Sequence, residues 1–299
     1  NLAGRSVEDK NSLDFFMENT EMHITLLEDA FPDAVINGST IQDQFAAYQK
    51  TALHFDVQKL ILVKRLRELR NRNATDKSLS DSIAILEAKL DVLRNSEVEF
   101  CLSYITRNTN SFVALDILSF YAYKLPLEEA INVFKGFSVA CQQSFQGKQI
   151  EKLLKVRTQS IVGGEINTMF LLDKHGNEID VANVLTSENN LLIFWASWCA
   201  PCVEEIQSLL PELKNTTIEN VIFILIDRDS LAWVKSIDKL GITKFTQVVS
   251  SFKEEKYNVA NYIFMDGIPL ALIVNNKRRI IHRFEGESSK KIIATMKPK

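Results

Sequence analysis

The apolar residues of this chain repeat with two different periods, and the change between them near residue 160 restricts the fold to two unlike parts. Before it, Leu79, Ile83, Leu86, Leu90 and Leu93 recur at spacings of 4, 3, 4 and 3. That places them on one stripe of a helix starting near Ser78 to Ser80. The same period predicts helices over 41–72, 97–107, 111–123 and 127–145, broken by NRNATDK, RNTN and KLP. After the change, short apolar runs alternate with helical stretches: MFLLD, LLIFWA, VIFILID, TQVV, ALIV and IIHRF, with helices after Cys199, near 230–240 and from Glu287. Such alternation is the pattern of an α/β sheet domain. Upstream of both, LDFFMENTEMHITLLED and FPDAVINGST break often, which fits short β segments around 14–17, 22–27 and 34–36.

The expected organisation is therefore a short β segment over 1–38, a helical domain over 39–157 and an α/β domain over 158–299, with Gly163 and Gly164 on the linker side of the last boundary. A length of 299 residues exceeds the usual single core and agrees with more than one domain. The net charge of −3 gives no basic footprint, so nucleic acid is not an expected partner. The run KRLRELRNR (64–72) reads as the solvated face of a helix, since no aromatic residues interleave with it. The chain starts at Asn1 without a Met, which suggests a removed upstream segment and export. Cys101 and Cys141 sit in apolar, helix-like surroundings and read as buried thiols rather than a disulfide.

Residues 195 to 205, WASWCAPCVEE, carry the chemistry. LLIFWA suits a strand buried on both faces, and Cys199 and Cys202 follow its carboxyl end, where open α/β sheets place their sites. A helix starting at Cys199 puts that sulfur among unpaired backbone N–H groups, with Pro201 in the first turn and Cys202 one turn along. A thiol there is acidified from about 8.5 into a range of about 3.5 to 7.5 and becomes the nucleophile of thiol–disulfide exchange, with Cys202 resolving. A tetrahedral zinc site would need further ligands, and the four histidines, His23, His54, His175 and His282, lack ligand spacing. Two structural thiols remain the bland alternative; the buried strand and the Pro at the helix start favour exchange.

WASWCAPC resembles the active-site segment of thioredoxin-fold proteins, and with Glu205 after the second cysteine it is similar to the TlpA/ResA-type thiol–disulfide oxidoreductases. The resemblance covers about residues 160 to 299, through MFLLDKHGNEID, VIFILIDRD, MDGIPLALIV and NNKRRIIHRFEG. It implies an α/β thioredoxin fold at the C-terminus, behind the mostly helical domain preceded by short β-strands that the periodicity predicts. It further implies a cis Pro269 facing the cysteines, with Ile268 pairing with an extended substrate. Trp198, Ala200 and Pro201 would complete the substrate surface, and Glu205 would tune the thiols and relay protons. No organic cofactor or metal is implied beyond the Cys199–Cys202 dithiol. Implied partners are disulfide-containing proteins and an external thiol electron donor, membrane-bound in one version. Implied location is periplasmic or otherwise extracytoplasmic, with a membrane anchor on a removed N-terminal segment as one option, and the direction leans towards a reductant. Two departures stand out: Gln207 replaces an expected Pro while Pro211 comes later, so the active-site helix should kink or end near Leu210, and Leu270 replaces a Thr. Residues 1 to 157 resemble the N-terminal region of Bacteroidetes proteins with a TlpA-like domain, through VINGSTIQDQFAAYQ and RNTNSFVALDIL, and no function comes with that. The rival to an enzyme is a partner-binding or scaffold protein that uses the helical domain and keeps the thioredoxin fold for structure.

Overall fold

The computed structural model describes residues 13, 15–26, 34–73, 79–227 and 230–298. Two compact units divide the chain, Asn1–Glu151 and Lys152–Lys299.

In the first unit, β1 (His23–Thr25) and β2 (Val35–Asn37) form an antiparallel ribbon. The strand expected around 14–17 does not form at its described positions 15–17. The Phe16 N–H instead donates to Gln42 Oε1 at 2.9 Å, and its ring packs edge-on to Phe45 with centroids 5.1 Å apart. Asp14 and Leu27, the outer ends of two expected strands, lie outside the described residues.

Helix α1 (Thr40–Asn73) is opened by Ser39, whose Oγ accepts the Gln42 N–H at 3.0 Å. It packs on α2 (Ser80–Arg107). Phe45, Tyr48, Phe55, Leu66 and Leu69 of α1 and Leu90, Cys101 and Ile105 of α2 are buried. Two ion pairs follow the antiparallel register: Lys59 with Glu97 at 2.7 Å and Arg70 with Glu87 at 2.7 Å. The residue numbers of each pair add to nearly the same total, as two antiparallel helices in one register require.

The helices expected over 79–93 and 97–107 are one element. Ser96, in the gap between the two expected helices, donates its Oγ–H to the Val92 carbonyl at 3.1 Å within the helix, so no chain reversal is needed there. The reverse correction applies to 127–145. That stretch splits into α4 (Leu127–Lys135) and α5 (Val139–Gln143), which follow α3 (Phe112–Tyr121), while its last residue opens α6 (Phe145–Gln159). Gly136 closes α4, Ser138 caps α5 by accepting the Cys141 N–H, and Ser144 accepts the Gly147 N–H at 3.1 Å to start α6. Small polar residues at these joints offer the backbone a side-chain partner, which the apolar period alone does not reveal. Cys101 and Cys141 are free and buried. Burial holds the Cys101 thiol above its ordinary range; its sulfur lies 3.2 Å from Tyr48 Oη and 3.4 Å from Tyr121 Oη.

The second unit is built on a mixed sheet of order β4-β3-β7-β6-β5-β8-β9 among the described residues. These strands are β3 (Phe170–Leu172), β4 (Glu178–Asp180), β5 (Asn190–Trp195), β6 (Asn220–Leu225), β7 (Thr246–Val249), β8 (Leu270–Val274) and β9 (Ile280–Glu285). Strands β5, β6 and β7 run parallel; β8 is antiparallel to β5, and β9 to β8. Every residue of β5 is buried. Its alternate side chains enter two cores. Leu191, Ile193 and Trp195 pack with residues of α7 (Ala200–Leu209), α8 (Ser230–Leu240) and α9 (Ser289–Thr295). Leu192 and Phe194 pack on the other face with Met169, Leu171, Val181 and Val259. Each such side chain removed from water contributes about 1.5–3 kcal/mol, so the central strand that leads to the site is firmly held. At its amino end, buried Asn190 donates to the Ser187 and Val274 carbonyls at 2.6 and 2.8 Å and accepts from Asn220 at 2.9 Å. Helix α7 ends at Leu209 and gives way to a 3-10 turn, Leu210–Asn215, that contains Pro211. Pro cannot supply the next backbone donor of an α-helix, which explains the stop.

Candidate active site

The carboxyl end of β5 is followed by a short turn, in which the Ala196 carbonyl accepts the Cys199 N–H at 3.1 Å. Cys199 is the N-cap residue of α7, in extended conformation, and Pro201 follows in the first turn without wasting a donor. The Cys199 sulfur accepts the backbone N–H of Cys202 at 3.2 Å. Cys199 and Cys202 are joined as a disulfide, with Cα atoms 5.2 Å apart. Both are buried, at 5% and 1% exposure, while Trp198 beside them is 69% exposed and Ala200 and Pro201 are also exposed. The sulfur nearer the surface thus sits where a helix N-terminus and a directed N–H favour negative charge, with an exposed aromatic and a Pro around it.

The Ile268–Pro269 peptide is cis, and the Ile268 carbonyl oxygen lies 4.0 Å from Cys199 Sγ. Chain segments almost seventy residues apart therefore meet at the sulfur. Leu270, the first residue of β8, points into the apolar core with Met169 and Phe194 and is 1% exposed.

Glu205 lies one turn beyond Cys202 on α7 and is half-buried. Its Oε2 accepts the backbone N–H of Ser289 at 2.5 Å and its Oε1 accepts from Ser289 Oγ at 3.5 Å, so the carboxylate caps the first turn of α9. A cavity of about 340 Å³ opens beside it, lined by Pro201, Glu204, Ser208 and Glu287 among others.

One residue was missed by the sequence reading. Asp227, 8% exposed, follows β6, and its Oδ2 accepts the Ser197 N–H at 2.8 Å. The signal was the acidic residue closing the apolar run VIFILID, at the carboxyl end of a parallel strand adjacent to the one that carries the cysteines. Among the described residues no cluster of three or more His, Cys, Asp or Glu is arranged to hold a metal ion, and no helix is long and apolar enough to cross a membrane.

Thioredoxin-fold thiol–disulfide oxidoreductases are the class that this sheet and its bonded cysteine pair define, and comparison with known proteins agrees. The thioredoxin family profile matches residues 173–263. The thiol–disulfide oxidoreductase ResA of Bacillus cereus is 22% identical over 138 residues, covering 43% of this chain and 72% of that protein. Among solved structures, the thioredoxin domain of a Bacteroides vulgatus thiol–disulfide oxidoreductase is 20% identical, with a TM-score of 0.38, over 45% of this chain and 96% of that one. StoA from Bacillus subtilis is 18% identical, with a TM-score of 0.35, over 43% of this chain and 96% of that one. Within the class, the second unit of this chain has a thioredoxin-fold domain and is similar to ResA-type proteins.

Proposed function

We propose that this chain reduces disulfides in protein substrates outside the cytoplasm, through the Cys199–Cys202 dithiol. The observation that carries the reading is the Cys199 sulfur at the N-cap of α7, accepting the Cys202 N–H and facing the Ile268 carbonyl. In the reduced state the Cys199 thiolate attacks one sulfur of a substrate disulfide. A Cys199–substrate S–S bond forms, and the displaced substrate thiolate takes up a proton. Cys202, deprotonated, then attacks the Cys199 sulfur, which closes the intramolecular disulfide and releases the second substrate thiol. Two electrons pass to the substrate, and an external dithiol donor must return them to the pair.

The exposed Trp198, Ala200 and Pro201 supply a rigid contact surface, and Ile268 with Pro269 offers backbone to an extended substrate segment. Glu205 is assigned the proton handling at Cys202 from its position one turn away, while its bond to Ser289 fixes it there. The proposed domain limits are 1–38, 39–157 and 158–299. A membrane anchor and a membrane-bound donor belong to the same reading and rest on the TlpA/ResA likeness.

The test is insulin reduction by the full chain with dithiothreitol as donor. Cys199→Ser is expected to abolish turnover, and Cys202→Ser to accumulate a mixed disulfide with substrate. Retained turnover by Cys199→Ser refutes the assignment.

A further inference from the structure

We propose that Asp227 is a positioning residue for the Cys199–Cys202 pair, holding the turn that presents Cys199 and opposing negative charge on its sulfur; this rests on the redox reading above. Ile226 donates its N–H to the Trp195 carbonyl at 2.8 Å, which continues the β5–β6 pairing one step past the strands. Asp227 is the next residue, and it is placed to reach across to the turn. Its Oδ2 takes the Ser197 N–H at 2.8 Å, while the Ala196 carbonyl takes the Cys199 N–H at 3.1 Å. The four residues Ala196 to Cys199 are thus tied from within by one bond and from β6 by another. Without the carboxylate, Ser197 would keep a half-buried N–H with no protein partner, and Trp198 and Cys199 would hang from a turn closed at one point only.

The bond is also electrostatic. A carboxylate that is more than nine-tenths buried is poorly screened. Ser197 is two residues from Cys199, so the separation from its sulfur is on the order of 10 Å given the reach of the chain. One charge at that distance across an effective dielectric of about 20 changes the stability of a Cys199 thiolate by on the order of tenfold. The sign is unfavourable to the thiolate, so Asp227 shifts the pair towards the disulfide form, and the dithiol becomes the stronger reductant.

The experiment uses the full chain and two substitutions. Asp227→Asn keeps an acceptor oxygen but loses the charge; Asp227→Ala loses both. The equilibrium constant of the pair against reduced and oxidised glutathione at pH 7 is measured by quenching with an alkylating agent. Both variants are expected to favour the dithiol by about tenfold, which corresponds to a potential about 30 mV more oxidising. In insulin reduction, Asp227→Ala should lose about tenfold in kcat/KM, and Asp227→Asn should restore most of that loss. An Asp227→Asn equilibrium constant within twofold of the parent overturns the electrostatic role, and equal kcat/KM for the parent and a folded Asp227→Ala overturns the positioning role. If Asp227→Ala does not fold, the potential of Asp227→Asn decides. The glutathione titration reads the pair itself, so it stays decisive even when no protein disulfide is turned over, and failure of the substrate reading is seen separately in the parent chain.

Discussion

Replacing Glu205 by alanine separates two jobs that the sequence and the structure give to one carboxylate. The resemblance makes it a proton-handling group beside the thiols; the structure has it capping α9 through the Ser289 N–H at 2.5 Å. A hydrogen bond to a charged group contributes about 1.5–3 kcal/mol. Because the side chain is half-buried, solvent screening reduces this to about 1 kcal/mol. For a domain of about 150 residues that corresponds to a drop in Tm of roughly 2–4 °C. All three Trp residues of the chain, Trp195, Trp198 and Trp233, lie in the second unit, so intrinsic Trp fluorescence follows its unfolding without a signal from the first. Glu205→Gln keeps an acceptor oxygen for Ser289 and should recover most of the lost Tm, yet it cannot exchange a proton. A glutamine variant with parental Tm and slowed resolution of the mixed disulfide supports both jobs. An alanine variant that melts with the parent refutes the cap, because nothing then depends on the bond to Ser289.

The buried Leu192, packed in the core on the sheet face away from α7, should cost about 3 kcal/mol when changed to Ala, read as a fall in the urea midpoint of the same fluorescence transition. In the helical unit, Glu97→Ala leaves Lys59 with Asp56 at 2.9 Å and should destabilise by about 1 kcal/mol by helix circular dichroism, whereas Lys59→Met with Glu97→Leu should be neutral or better. After reduction at pH 8, iodoacetamide should label Cys199 in the native chain and leave Cys101 unlabelled. Burial raises the Cys101 thiol, so it stays protonated and inaccessible there, and mass spectrometry should find it modified only in denaturant.

The α/β half was legible because its signals are local. A buried parallel strand has to be a continuous apolar run, and LLIFWA and VIFILID became β5 and β6 within a residue or two. The end of α7 was legible for the same reason, since Pro211 acts on its own neighbours. In the helical half the long stripe ending at Leu93 was readable, but its continuation through Ser96 was not. Whether a serine breaks a helix or bonds back to the carbonyl four residues earlier depends on the packing on either side, not on the serine. The joints at Gly136 and Ser144 were hidden by the opposite error, an apolar period that runs on across caps.

The site shows the same division between local and distant information, and this explains why Asp227 escaped while Cys199 did not. Spacing along the chain exposes two thiols one helical turn apart, because the helix itself brings them together. Asp227 is thirty residues from Ser197, and only the parallel pairing of β5 with β6 makes them neighbours. A reading that first aligns the two strand ends would place any polar residue just past β6 beside the turn just past β5. By that argument, an acidic residue closing a buried parallel strand is informative in proportion to what closes the strand next to it: beside a loop with no chemistry it is a cap, and beside the turn of Cys199 it is a carboxylate that holds the segment presenting the sulfur.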